Sequence, residues 1–155
     1  MLGEIRDYET ASIAINASLT GHLVFSTLHT NDAPSAVTRL TDIGVKPFLI
    51  ASATRCLMAQ RLVRKICPKC EAPTAPEQSE LLALGLDPDK IKDPNFLAGK
   101  GCDKCNGTGH KGRFGLFEVF VVDDESRKMI VNKVTTTDLR RRAREVGMRT
   151  LREDG

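Results

Sequence analysis

Two pairs of cysteines constrain this chain more than any other feature of its sequence. Cys67 and Cys70 form one C-x-x-C motif, and Cys102 and Cys105 form a second. A two-residue spacer lets both thiolates of a pair face one ion, and four thiolates complete the tetrahedral shell that suits Zn²⁺. Because four protein ligands leave no open coordination position, the motifs predict a structural zinc site that braces the fold and does not catalyse.

Other uses of the cysteines fit the sequence less well. A secreted disulfide framework is disfavoured because the cysteine count is five and no targeting segment precedes the first motif. Neither pair lies in the strand-to-helix context of thioredoxin-like redox motifs, so separate redox pairs or free thiols are the weaker alternatives. The fifth cysteine, Cys56, is expected to be an inert thiol in the core or at an interface.

The composition predicts a globular domain. Of 155 residues, 41% are apolar and 28% charged, with no low-complexity tract, which excludes intrinsic disorder, collagen and coiled coil for the whole chain. No apolar run approaches the roughly 18 residues of a spanning helix, so we expect a soluble, intracellular protein. The net charge of +3 comes from the second half of the chain. We interpret it as solvated surface that also offsets thiolate charge, with nucleic acid or anionic lipid contact as the alternative.

Apolar spacing and helix-ending glycines predict alternating helices and strands in the first 66 residues. The predicted elements are a helix over 8–18, a buried strand over 22–28, a helix with Pro34 in its first turn that is closed by Gly44, and a helix that begins near Pro47. Asn31 or Asp32 is expected to cap the second helix. This order predicts a parallel sheet covered by helices.

The composition changes at Cys67, where prolines and then glycines become frequent. We therefore divide the chain into a core over 1–66, a zinc-binding subdomain over 67–112 and a carboxyl-terminal region over 113–155. The remaining predicted elements are a short helix over 77–84, a strand over 113–122, a helix over 124–132, and a helix over 137–145 that Thr136 or Thr137 caps.

A carboxylate and a histidine are expected at one edge of the predicted sheet. Glu4 stands at the end of a short strand and His29 follows strand 22–28, so both lie on the rim where α/β proteins bind ligands. A carboxylate there can orient a water or hold it on a metal-bound phosphate. In the alternative interpretation the acidic residues only begin a helix, with Asp7 as its cap and Glu9 complementing its dipole.

A second histidine, His22, precedes the same strand. Seven residues at about 3.3 Å each place it roughly 20 Å from His29 if the strand is straight, so the two cannot act on one atom. From the pattern alone we assign His22 a structural role.

Four motifs, in this order along the chain, resemble one known family. They are GEIRDYET at 3–10, TGHLVFSTLHTNDA at 20–33, AQRLVRK at 59–65 leading to Cys67, and GTGHKGR at 107–113. In these motifs the chain resembles the secretion ATPase superfamily, and within it the type II secretion and type IV pilus assembly ATPases. The resemblance covers residues 3–155. The retraction ATPases of pili usually lack a tetracysteine subdomain, so the secretion or assembly branch is implied.

The resemblance implies an α/β fold: a partial RecA-like P-loop NTPase sheet with an inserted tetracysteine zinc subdomain and carboxyl-terminal helices. It also implies a cytoplasmic homo-hexamer, peripheral to the inner membrane, that hydrolyses Mg-ATP. Its partners would be inner-membrane secretion or pilus platform proteins, and no nucleic acid is expected.

The same resemblance assigns roles to individual residues. Glu4 would be the Walker B glutamate that positions the attacking water, and His29 the histidine nearer the γ-phosphate. The zinc ligands would be Cys67, Cys70, Cys102 and Cys105. The residues that would support the nucleotide site are Arg6, Asp7, Glu9, Thr10 and His22.

One motif of the family does not occur in this sequence. The 155 residues contain no GxxxxGK[ST], so we expect an internal fragment of the motor that starts near Walker B and does not hydrolyse ATP alone. The alternative function is a free-standing zinc-ribbon module for nucleic acid, which the four arginines within 140–144 favour. Flanking acidic residues and an aromatic content of only 5% oppose it.

Overall fold

The structure, a computed structural model, describes residues 1–83, 85 and 95–155. The chain forms two compact units, the first made of Met1–Arg61 and Leu116–Gly155 and the second of Leu62–Gly115. The boundaries predicted at 67 and 112 both fall inside the second unit. The end of the helix predicted over 77–84 lies outside the described residues.

The described elements are mixed helix and strand, which confirms the α/β class. The helices are α1 (Tyr8–Leu19), α2 (Ser35–Asp42), α3 (Pro47–Ala53), α4 (Gln78–Ala83), α5 (Asp124–Val131), α6 (Thr136–Glu145) and α7 (Leu151–Asp154). The strands are β1 (Cys56–Ile66), β2 (Glu71–Pro73), β3 (Leu97–Gly99) and β4 (His110–Val121). Within the described ranges, no helix is long and apolar enough to cross a membrane.

Local sequence signals explain where the helices begin and end. The Asp7 carboxylate accepts a hydrogen bond from the Thr10 N–H at 2.8 Å and so caps α1. Gly44 ends the α2 region with φ of +99°, a backbone conformation that glycine adopts without steric cost. The cap predicted for α6 was wrong by one residue: Thr135 keeps an extended backbone and accepts from the Asp138 N–H.

Residues 22–28 correct the prediction of a buried strand. They are extended and run in the same direction as residues 2–5, with hydrogen bonds from the Leu2 N–H to Phe25 O at 3.0 Å and from the Ile5 N–H to Thr27 O at 2.9 Å. Alternate side chains face opposite sides. Val24 and Leu28 pack on the core, whereas Leu23 is 77% exposed, because the helices cover only one face of the segment.

The two paired sets of strands are antiparallel, whereas residues 2–5 and 22–28 run parallel, so the predicted parallel sheet is shown only in part. β1 pairs with β4 and β2 with β3. The Val122 N–H donates to Arg55 O at one end of the first pair, and the Cys67 N–H donates to Gly109 O at the other, which fixes the antiparallel direction. The strand β1 itself was not predicted. Its alternating burial places Leu57 and Ala59 on the core.

The two units bury different kinds of side chain. In the first, Phe120 of β4 and Ile50 of α3 are fully buried at the centre of a continuous apolar cluster that includes residues of α1, α2, α5 and α6. In the described part of the second unit, the buried apolar side chains are Cys67, Leu81 and Cys105. The first unit therefore has an ordinary core, and the second has cysteines where a core would be.

Candidate functional site

The Glu4 carboxylate lies in contact with two nitrogen-bearing side chains. Its Oε1 contacts His29 Nε2, and its Oε2 accepts a hydrogen bond from Arg6 Nε at 2.5 Å. The Glu4 side chain is 21% exposed, whereas His29 and Arg6 are largely exposed. The result is a half-buried carboxylate held by an imidazole and a guanidinium at the surface of the first unit.

The backbone explains why these residues meet. Residues 2–5 and 25–27 run side by side in the same direction, so Glu4 and His29 both lie where their segments end. The Thr27 hydroxyl donates to Gly3 O at 2.8 Å and adds a further link between the segments. The expected proximity of Glu4 and His29 is therefore present in the structure, while their catalytic roles stay predictions.

The residues after Glu4 have local structural contacts. Asp7 caps α1, and hydrogen bonds from Thr10 lower the pKa of its carboxyl below the usual value. Glu9 lies in the first turn of the same helix, where a negative charge complements the helix dipole. The helix-starting interpretation thus describes Asp7 and Glu9 well, and it leaves Glu4 free for another role.

His22 lies at the opposite end of the extended segment from His29. Its Nδ1 is 3.2 Å from the Thr20 hydroxyl, and its backbone N–H donates to Ala17 O just after α1. The imidazole is exposed and has its contact with Thr20 rather than with the Glu4 carboxylate. The structure therefore places Glu4 and His29 together and His22 elsewhere.

A buried carboxylate that was not among the predicted site residues, Glu118, anchors the loop after His29. Only 3% of Glu118 is exposed, yet its Oε1 accepts from the Ala33 N–H at 2.8 Å and its Oε2 from the Leu151 N–H at 3.3 Å. A buried polar group needs such partners, because leaving them out costs about 1–3 kcal/mol. A signal was available in the sequence, since Glu118 lies in phase with the inward Phe120 of an alternating strand.

Asp32 and Arg61 hold the remainder of the same loop. Asp32 accepts from the Ser35 N–H at 2.9 Å and from Arg140 at 2.7 Å, and these bonds lower the pKa of its carboxyl although partial burial opposes the shift. Asp32 is thus the residue of the predicted pair that supports the start of α2. Arg61 of β1 donates to Asn31 Oδ1 at 3.2 Å.

The four motif cysteines of the second unit converge on one point. Their sulfurs all lie within 4.8 Å of one another, and the pairs Cys67–Cys102, Cys70–Cys105 and Cys102–Cys105 are 3.9, 3.9 and 3.8 Å apart. Tetrahedral Zn²⁺ with bonds of about 2.3 Å to sulfur requires sulfurs about 3.8 Å apart. The donor set and the spacing therefore both fit a zinc ion.

Backbone groups around the cluster favour thiolate. Burial opposes ionisation of Cys105, but N–H groups of Cys102 and Gly109 outweigh it and lower the pKa of the Cys105 thiol to about 6. The Cys102 N–H lies 3.2 Å from the Cys105 sulfur. Burial, together with the neighbouring sulfurs, raises the pKa of the Cys70 thiol to about 12. The Cys105 thiol therefore ionises readily, whereas the Cys70 thiol needs a nearby cation to ionise.

Cys56 does not join this cluster. It starts β1 and is exposed, so it is not a core thiol, and its place at an interface stays a prediction. Partial burial of the sulfur raises the pKa of the thiol. The outward face of the strand at this position explains the exposure, because Leu57 takes the inward position next to it.

The arginines that favoured nucleic acid binding are paired with acids. Each of the four has a carboxylate partner in the first unit: Arg140 with Asp32, Arg141 with Asp138, Arg142 with Asp123, and Arg144 with Glu153. Neutralised guanidinium groups contribute little to the electrostatic attraction of a phosphate backbone.

Comparison with known proteins identifies relatives over the whole sequence. A sequence profile of the family described as "Type II/IV secretion system protein" matches residues 1–155. The type IV pilus assembly ATPase PilB of Thermus thermophilus is 50% identical over 155 residues, which are 100% of this chain and 17% of the relative. The type II secretion system protein E of Pseudomonas aeruginosa is 47% identical over 155 residues, 100% of this chain and 30% of the relative. The chain thus spans less than a third of the length of these curated relatives.

A solved structure has a similar fold. The Legionella pneumophila ATPase DotB superposes with a TM-score of 0.52 and 24% sequence identity, covering 99% of this chain and 31% of DotB. At this level of identity the similarity concerns the fold alone.

Proposed function

The chain belongs to the type II/IV secretion system protein family, and we propose that it supplies the water-positioning part of an ATPase that powers type II secretion or type IV pilus assembly. The relatives named above support the class of activity, since they are a pilus assembly ATPase and a secretion system protein. The substrate in this proposal is Mg-ATP, and the reaction is transfer of the terminal phosphoryl group to water.

The observation that carries the proposal is the Glu4 carboxylate held between His29 and Arg6. A carboxylate fixed in this way accepts a hydrogen bond from a water and aims its oxygen along the line of attack on phosphorus. In this proposal His29 and Arg6 keep Glu4 in one orientation, and His29 also lies nearest the transferred group. His22 acts only through the sheet or a neighbouring subunit.

In this proposal the chain contributes only part of the nucleotide site. Its 155 residues contain no GxxxxGK[ST] motif, so the groups that cradle the phosphates and bind Mg²⁺ through a hydroxyl must come from other polypeptide. Since positioning and charge stabilisation of the phosphates provide most of the catalysis in this class, we expect no hydrolysis above background by this chain alone.

The tetracysteine cluster completes the proposal as a structural zinc site. The ion would be held by Cys67, Cys70, Cys102 and Cys105. It would cross-link the second unit and leave no open coordination position for a substrate. By family analogy we further propose a homo-hexamer on the cytoplasmic side of the inner membrane, in contact with the platform proteins of a secretion or pilus machine and not with nucleic acid.

A chimaera tests the assignment of Glu4. This chain replaces the matching 155 residues of the Thermus relative, and steady-state hydrolysis, ATP affinity and hexamer content are measured. Glu4→Gln keeps the shape of the side chain but weakens its hold on water, so we expect turnover to fall about 100-fold or more while ATP affinity changes little. Glu125→Gln, at an exposed acid in the first turn of α5, is the matched control and should stay within about twofold.

Two results would contradict the assignment. Glu4→Gln with normal turnover would remove Glu4 from the reaction. If His22→Ala formed normal hexamers but lost turnover as severely as Glu4→Gln while His29→Ala stayed active, the site would lie at the other end of the extended segment.

A further inference from the structure

One buried carboxylate links the loop that follows His29 to the helix α7. Glu118 of β4 is 3% exposed, its Oε1 accepts from the Ala33 N–H at 2.8 Å, and its Oε2 accepts from the Leu151 N–H at 3.3 Å. Ala33 lies in the loop between His29 and α2, and Leu151 is the first residue of α7. A single side chain therefore joins two segments that are far apart along the chain.

The two hydrogen bonds of Glu118 depend on each other. Among the residues that the structure describes, no basic side chain pairs with this carboxylate. A buried carboxylate is costly unless hydrogen bonds stabilise it, so each of the two N–H groups helps to keep it in place. If the Leu151 N–H is lost, we expect the carboxylate to turn toward water and to weaken its bond with Ala33.

A second connection joins the same loop to the neighbouring helix. Asp32 accepts from Arg140 of α6 at 2.7 Å, and Arg144 of the same helix pairs with Glu153 of α7 at 2.5 Å. Asp32 and Ala33 are consecutive in the sequence and are thus held by separate routes. The position of the loop therefore depends on where α6 and α7 lie.

The helix α7 is held mainly by surface contacts. None of its four described residues is buried. Asp154 Oδ2 accepts from the exposed Phe117 N–H at 2.9 Å, and the pair of Arg144 with Glu153 is also at the surface. Exposed ion pairs contribute little to stability, and an element with few buried contacts opens at a lower free energy than the core does. Release of α7 is therefore an accessible change of this unit.

We propose that Glu118 is a positioning residue that couples the docking of α7 to the placement of the loop that carries His29. Docked α7 holds the carboxylate, the carboxylate holds Ala33, and the loop keeps His29 against Glu4. Release of α7 therefore slows the reaction at Glu4, a consequence that rests on the proposed function. The coupling between Leu151 and Ala33 does not rest on it.

A pair of substitutions at Leu151 isolates the hydrogen bond from the packing of the side chain. Leu151→Pro removes the N–H that donates to Glu118, whereas Leu151→Ala truncates the side chain and keeps that N–H. Proline is well tolerated at the first position of a helix. The preceding residue, Thr150, has an extended backbone with φ of −71° and ψ of 158°, as a residue before proline requires.

The readout in this chain is hydrogen exchange of the Ala33 N–H, followed by NMR. We expect exchange to be at least about threefold faster in Leu151→Pro than in Leu151→Ala, because groups that share a partner are energetically coupled. Equal or slower exchange in Leu151→Pro would overturn the coupling.

The same comparison without the carboxylate tests whether Glu118 carries the effect. Glu118→Gln keeps the size of the side chain but has one acceptor oxygen in place of two, so the bridge is broken. In this background Leu151→Pro and Leu151→Ala should give the same exchange at Ala33. A difference that persists would show that the coupling takes another route. Glu125→Gln, at an exposed acid of α5, is the matched control and should leave the difference unchanged.

The chimaera with the Thermus relative tests the consequence for the reaction. At a temperature where urea unfolding shows every variant to be folded, Leu151→Pro should have a kcat at least about threefold below that of Leu151→Ala, with KM for ATP little changed. A merely structural bond would change the unfolding free energy and leave kcat alone. Equal kcat values in a chimaera that Glu4→Gln inactivates would refute the control of the reaction by α7. Normal turnover of Glu4→Gln would instead contradict the proposed function and leave the exchange result intact.

Discussion

The first unit places apolar side chains at its centre, whereas the second places four sulfurs there. Phe120 and Ile50 are fully buried in one apolar cluster. Both stretches of the first unit, Met1–Arg61 and Leu116–Gly155, contribute residues to this cluster. In the second unit, Cys67 and Cys105 are themselves among the described buried side chains, and the cysteines converge to within 4.8 Å. A segment of some 50 residues is too small for much apolar burial, so a metal can do there what a core does elsewhere.

One chain can therefore contain two independent sources of stability, an apolar core and a metal site. Apolar burial depends on many contacts, so truncating one side chain lowers the free energy of unfolding in proportion to the volume removed. A tetrahedral metal site needs all of its ligands at once, so the loss of one sulfur weakens metal binding by the whole site.

The largest effect is expected from loss of a zinc ligand. Cys102→Ser should lower bound zinc from about one ion per chain to well below that value, because a structural zinc site requires all four ligands. Elemental analysis of protein purified without chelator measures this. Cys56→Ser removes an exposed cysteine outside the cluster and should leave the zinc content unchanged. Absence of stoichiometric zinc in the parent chain would refute the site.

The next effect concerns the core of the first unit. Phe120→Ala should lower the free energy of unfolding of that unit by about 3–5 kcal/mol, since it leaves a cavity at a fully buried position. Urea unfolding followed by helical circular dichroism measures it, because six of the seven described helices belong to this unit. Phe48→Ala, at a residue that is 53% exposed, is the control and should cost clearly less. Similar losses for both variants would mean that Phe120 is not at the centre of the core.

Glu118 should show a smaller effect with a different origin. Glu118→Ala leaves the buried N–H of Ala33 and the partly buried N–H of Leu151 without their acceptor, which should cost about 1–3 kcal/mol of unfolding free energy. The matched control is Glu125→Ala, at a surface acid paired with Lys128, with an expected change below about 1 kcal/mol. The same urea experiment compares them, and equal costs would show that Glu118 does not anchor the loop.

The smallest effect depends on pH. Hydrogen bonds from Arg142 and Ser126 hold the pKa of the Asp123 carboxyl well below its usual value. A depressed folded-state pKa stabilises the protein above the unfolded value near 3.8, and this contribution is lost as pH falls toward the folded value. Asp123→Asn should therefore cost about 1 kcal/mol at pH 7 and progressively less as pH falls below about 4.

Urea unfolding at a series of pH values tests this dependence. Asp124→Asn, at a fully exposed neighbour of Asp123, is the control and should show almost no difference from the parent at any pH. A cost of Asp123→Asn that grows on acidification would have the wrong sign for the proposed origin.

Features set by neighbouring residues were predictable from the sequence. The start of α1 follows from Asp7, and the end of the α2 region follows from Gly44, because caps and positive φ angles act within a few residues. The cysteine cluster was predictable for a similar reason. Each two-residue spacer is local, and only one ion has to join the pairs.

Features that depend on distant partners were not predictable. The strand β1 forms because β4, more than 40 residues later, supplies its hydrogen bonds. The exposure of Leu23 could not be read from an apolar run, since burial depends on what packs over each face. The alternating pattern of β4 could have placed Glu118 on the inward face, but its partner Ala33 lies 85 positions away along the chain. The partner of Arg61, Asn31, lies 30 positions away. In the candidate site, the proximity of Glu4 and His29 could be inferred from the sequence. The contacts of Glu118, Asp32 and Arg61 that hold the neighbouring loop could not.

Hydrogen exchange of Cys102→Ser and Phe120→Ala, measured side by side against the parent chain, tests the separation of the two sources of stability most directly. Our account predicts that Cys102→Ser accelerates exchange within residues 62–115 and leaves the helices of the first unit protected, while Phe120→Ala accelerates exchange in residues 1–61 and 116–155 and retains zinc. A common loss of protection along the whole chain in both variants would contradict it, because the metal and the apolar core would then stabilise one cooperative structure.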